Sequence, residues 1–112
     1  MSLAQIPINL WPPDLTEEVA VLEQEPEDME RSGSVKFEKA HDDLDYFKAA
    51  VVVPAGGRSF ALKRYQNSPL PGVGLIVAKA PPAELRLQLR DALKALGIEL
   101  SCVTWARYDL AG

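Results

Sequence analysis

The chain has 112 residues, a net charge of −4, 47% apolar and 25% charged residues, a composition that fits one globular domain and excludes collagen-like, coiled-coil and disulfide-rich scaffolds. No apolar run approaches the roughly 18 residues that a membrane helix needs, and no secretory leader opens the sequence. The lone Cys102 has no partner for an internal disulfide, so a reducing cytoplasm is the expected setting.

Charge is unevenly laid along the chain. Residues 1–45 hold 12 acids and three bases, residues 46–112 four acids and nine bases, so the two parts carry −9 and +5. Opposite halves of this kind attract each other within one chain or between two copies.

Residues 6–11 alternate apolar side chains with Pro7 and Asn9 and stop at Pro12-Pro13. Pro7 cannot donate to a ladder, so the stretch reads as an extended arm or edge strand. Residues 16–25, β-branched at Val19 and Val21, favour a short strand over a helical turn. Residues 23–34 are acidic and end in Ser-Gly-Ser, the composition of a loop or linker. The expected organisation is an N-terminal extended arm and acidic loop over 1–34 and a single α+β domain over 35–112.

Residues 47–53 are apolar but for Lys48, and 58–65 alternate, with Gly56-Gly57 between them. Glycine supplies the positive φ of tight turns, which predicts a β-hairpin. A proline-punctuated loop follows, with Pro69, Leu70 and Pro71, and then 73–78, apolar on both sides and therefore a central strand. Pro81-Pro82 opens a helix over about 82–96, with Leu85, Leu89, Ala92, Leu93 and Leu96 in one stripe and Gly97 to end it. Arg86, Arg90 and Lys94 recur on another side as a solvated ridge. Residues 98–108 read as a last strand, with Ile98, Leu100, Cys102 and Ala106 on one face and Glu99, Ser101, Val103, Trp105 and Arg107 on the other.

These elements predict a two-layer α+β domain: a mixed or mainly antiparallel sheet of about four or five strands with one main helix on one face. Strand 73–78, the helix and strand 98–108 would form a right-handed β-α-β unit with parallel strands. A split arrangement is the alternative, and it requires a second helix for which the sequence offers no clear stretch.

A single helix leaves the second sheet face open. If Phe60, Leu62, Ile98 and Leu100 meet the helix, then Ala61, Tyr65, Val103 and Trp105 face away, beside Lys63 and Arg107. Apolar groups gathered in this way mark an interface. The arm with Ile6, Ile8, Leu10 and Trp11, or a second copy, would cover it. The primary expectation is a non-catalytic protein-interaction or self-association module, acting on itself as a homodimer or on another protein through Tyr65, Val103, Trp105, Arg107 and Trp11.

The chemistry-bearing residues are few. Glu38, His41, Asp42, Asp43 and Asp45 cluster in sequence, but their spacing matches no metal loop, and an acidic turn before the hairpin explains them. Cys102 and His41 are the sole thiol and imidazole, and Cys102 falls on an apolar strand face where it acts as a small hydrophobe. No catalytic motif, cofactor motif or metal site is expected. The alternative reading is a small-molecule or enzymatic site near the 69–71 loop and the 38–45 cluster, lined by His41 and Arg58. A third is weak binding of single-stranded nucleic acid on Lys63, Arg64, Tyr65, Trp105, Arg107 and Tyr108, which the acidic balance disfavours.

Overall fold

Glycine turns and alternating side chains organise the middle of the molecule as the sequence predicts. The computed structural model describes residues 3–107. Its strands are β1 (Gln5–Ile6), β2 (Leu15–Leu22), β3 (Glu38–His41), β4 (Tyr46–Val52), β5 (Phe60–Tyr65), β6 (Val73–Ala78) and β7 (Val103–Ala106), and its helices are α1 (Pro26–Ser32) and α2 (Pro82–Leu96). The β4–β5 hairpin pairs Val52 with Phe60 and Phe47 with Tyr65, and Gly56 in its connection takes φ +71°.

All seven strands join one sheet in the order β1-β4-β5-β6-β2-β7, with β3 also on β4. Every neighbouring pair is antiparallel. β3 and β1 share one edge of β4, pairing with its first and second halves respectively. Among the described residues the sheet thus has seven strands rather than four or five, and two α-helices stand where one main helix was expected.

The expected crossover is split. β6 and β7 each run antiparallel to β2, which lies between them, so they are parallel to each other without touching as neighbours. The chain's early residues therefore supply an inner strand, fully buried at Val19, Ala20 and Leu22.

The acidic segment read as a loop carries α1 instead. Glu25 and Asp28 form a reciprocal capping box, Pro26 occupies the first turn, and Gly33 closes the helix at φ +80°, each satisfying groups that a helix end leaves unpaired. Met29, 2% exposed, is its apolar anchor. α2 keeps its predicted limits, with Gly97 in the left-handed region.

Both helices lie on one sheet face. Met29, Leu85, Leu89, Ala92 and Leu93 pack with Val52, Phe60, Leu62, Leu75 and Leu22 in the main core; full burial of one such leucine contributes about 2 kcal/mol. Gln88, the one buried polar residue among those described, is 4% exposed. Its side chain accepts from Ala78 N at 3.2 Å and donates to Ala78 O at 3.0 Å, tying α2 to the end of β6.

Candidate functional site

The second sheet face is smaller and largely closed. Leu15, Val51, Ala61 and Ile76 form a cluster there, and Ile6, Ile8 and Trp11 from the N-terminal segment pack onto it. Trp11 donates its indole N–H to Leu15 O at 2.9 Å, and Glu38 accepts from Ile8 N at 2.9 Å. The segment expected as an arm thus folds over part of this face, and Trp11 is structural.

Next to that cluster, Lys63 seals another part. Its Nζ lies 4.3 Å from the Phe47 ring centre and 4.5 Å from that of Tyr65, and 3.6 Å from Asp42. Tyr65 donates its hydroxyl to Asp42 at 2.6 Å. That bond above all, followed by the Leu44 backbone N–H, holds the Asp42 carboxyl down to about 2. Asp45 ties the β3–β4 turn to the loop after β5, accepting from Tyr46 N and from both the backbone and side-chain nitrogens of Asn67. Among the described residues no group of three or more His, Cys, Asp or Glu is arranged to hold a metal ion.

β7 departs from the sequence expectation over its length and its faces. Leu100–Cys102 is a 3-10 turn, so the strand begins only at Val103. Val21 faces Trp105 and the next residue, Leu22, faces Val103, which inserts Thr104 as an extra residue. A bulge of this kind reverses the inward–outward alternation. Val103 consequently packs on the helix-side core with Leu22, whereas Trp105 stands opposite, 46% exposed. Arg107 pairs with Glu17 at 2.9 Å, and this bond, with that from Thr16, lowers the Glu17 carboxyl below its usual range.

The residues proposed for a basic and aromatic surface are therefore dispersed. β6 and β2 separate β5 from β7, about 14 Å across the strands at the usual spacing, with Tyr65 a further two residues along from the row that holds Trp105. Arg64 alternates to the opposite face from Lys63 and Tyr65. Tyr108 lies outside the described residues.

His41 and Arg58 are likewise apart. His41 faces Tyr46 at the start of β4, its ring 5.4 Å from the tyrosine ring. Arg58 lies near the far end of β4, where Val52 faces Phe60, and contacts Glu84 at 3.4 Å. That length of strand is about 20 Å, so no single cleft contains both. Arg58 borders a cavity of about 430 Å³ with Asp14 and Lys79. The other end has a cavity of about 440 Å³ whose lining includes Glu27, Lys39, Tyr46, Lys48, Arg64 and Tyr65, a set that sequence reasoning missed apart from Arg64 and Tyr65. There Glu27 accepts from Lys48 at 2.7 Å, which lowers the carboxyl and raises the ammonium.

The charge asymmetry has an intramolecular outlet. Of six ion pairs among the described residues, four join an acid of residues 1–45 to a base of residues 46–112: Glu17–Arg107, Glu25–Arg64, Glu27–Lys48 and Asp42–Lys63. Among the described residues no helix is long and apolar enough to cross a membrane. Compared with protein-family models, curated proteins and solved structures, the chain matches none.

Proposed function

We propose that this chain is a non-catalytic self-association module whose docking element is the outer edge of β7. One observation carries the reading: Trp105, 46% exposed, sits on a strand that among the described residues is paired on one side only, against β2. Exposed strand edges recruit further strands; Val103-Thr104-Trp105-Ala106 carries no charge or proline, while its four-residue length and the Thr104 bulge restrict the edge to a short, weak contact. Leu100, 52% exposed in the preceding turn, extends the apolar character.

Two copies related by a two-fold axis would pair their β7 edges and bring their Trp105 rings together. Four residues offer few backbone bonds, so the tryptophan supplies most of the affinity, and the dimer is expected to be weak, with a Kd of about micromolar or above. Val103 and Arg107, engaged within the fold, support the edge rather than contact the partner, while Tyr65 and Trp11 lie away from it. The cytoplasm is the setting this reading assumes, and Cys102 remains a thiol there.

Sedimentation or native mass spectrometry over a concentration series tests the proposal. A dimer that Trp105→Glu converts to a folded monomer supports it. A wild-type chain that stays monomeric at high concentration, or a dimer indifferent to Trp105→Glu, overturns it.

A further inference from the structure

On the helix-side face, three cations stand directly across from one another on adjacent strands. Lys39 of β3 faces Lys48 of β4, and Lys48 faces Arg64 of β5. Like charges placed directly opposite in a sheet destabilise it, so a row of three needs counter-charge. Glu27 supplies it to Lys48 at 2.7 Å and Glu25 to Arg64 at 3.0 Å. Lys39 is exposed and has no ion pair among the described residues.

The row borders the cavity of about 440 Å³, whose other walls include Glu27 of α1 and Tyr46. Its size falls in the range of small-molecule sites. Tyr46 is 64% exposed, an aromatic surface available at the mouth. Arg64 ion-pairs with Glu25 through Nε and donates to the carbonyls of Leu70 and Gly72 through Nη1, which leaves Nη2 uncommitted among the described residues.

We propose that this cavity binds a small organic phosphate, with the anion on Lys39 and Arg64 Nη2 beside the Glu27-paired Lys48 and the aromatic body of the ligand against the exposed ring of Tyr46. Lys48 and Arg64 keep their carboxylate partners, so the anion draws on the Lys39 ammonium and the remaining Arg64 N–H donors, and a phosphate with three acceptor oxygens can take both together where a carboxylate has two. The site is on the opposite face from Trp105 and does not depend on self-association.

Phenyl phosphate is the probe, with phenol and inorganic phosphate as controls, followed by ¹H–¹⁵N correlation spectra of the wild type, Lys39→Glu, Lys39→Gln and Tyr46→Ala. Lys39 is exposed, and the neutral Lys39→Gln variant tests the charge with little risk to folding. Saturable shifts in β3, β4 and β5 at about millimolar phenyl phosphate or below are expected. Binding should weaken at least about tenfold in each Lys39 variant, and by a similar factor for phenol and for inorganic phosphate. Absence of saturable shifts overturns the proposal. So does affinity unchanged by both Lys39 substitutions, or inorganic phosphate binding as tightly as phenyl phosphate.

Discussion

Arg64 clasps Glu25 at 3.0 Å through Nε while its Nη1 donates to the carbonyls of Leu70 and Gly72 at 2.7 and 2.9 Å. The other carboxylate oxygen of Glu25 accepts from Gly72 N at 3.0 Å. One residue from the acidic part of the chain and one from the basic part thus join the start of α1 to the loop that leads into β6.

Arg64→Ala should therefore destabilise the fold by about 2 kcal/mol, the scale of losing several bonds to a charged donor. Arg64→Lys should recover little, because an ammonium lacks the planar fork that serves a carboxylate and two carbonyls together. Urea denaturation checks both; a lysine variant as stable as wild type would show that charge alone suffices.

Gly72 is irreplaceable for steric reasons. It takes φ +96°, and a Cβ built there lands on the Leu22 carbonyl oxygen. Gly72→Ala should cost about 3 kcal/mol or more. Gly56, at φ +71° with nothing within 4 Å of the added Cβ, isolates the backbone strain, and Gly56→Ala should cost about 1 kcal/mol. Equal losses in the two variants would contradict the close approach.

Gln88→Leu retains volume but removes both bonds to Ala78. Leaving the part-buried N–H and C=O of Ala78 without this partner costs about 1 kcal/mol for each group, the low end for a group that water can reach, and hydrogen exchange at the end of β6 should accelerate. An unchanged denaturation midpoint would mean that water or a neighbour replaces the amide.

Asp42 gives the fold an acid-sensitive point. Its folded pKa of about 2 lies below the ordinary 3.8, so the stability it contributes is fully present above the higher value. That contribution fades as pH falls from about 4 through about 2. The stability gap between wild type and Asp42→Asn should shrink over this window. Tyr65→Phe, which removes the largest cause of the shift, should move the Asp42 titration upward in a carboxyl-detected NMR experiment.

The parts of the fold that were legible are those with local signals. Gly56-Gly57 located the hairpin, Pro82 and Gly97 bounded α2, and the apolar run of β6 marked a central strand. α1 had its signals too, in Pro26, Asp28 and Gly33, but its acidic composition and single apolar anchor, Met29, resembled a linker. The Thr104 bulge has no mark in sequence, and missing it placed Val103 and Trp105 on the same face. The cation row was half legible: once the hairpin register is counted, Lys48 must face Arg64. Lys39 joins them only through a β3–β4 pairing that the acidic turn did not advertise. The opposed charge of the two halves was plain, but which acid meets which base depends on three-dimensional proximity alone.

The insertion of β2 between β6 and β7 has a consequence for synthesis on the ribosome. β2 is complete at Leu22, whereas its first partner begins at Val73, so at ordinary elongation rates the nascent strand waits about 3 to 10 s before it can pair. The β3–β6 meander meanwhile assembles from consecutive segments joined by short connections. β2 then docks on an already formed edge, and β7 seals its other side last. Two adjacent glutamates, Glu17 and Glu18, lie within the waiting strand, and like charges of this kind discourage pairing between neighbouring nascent chains.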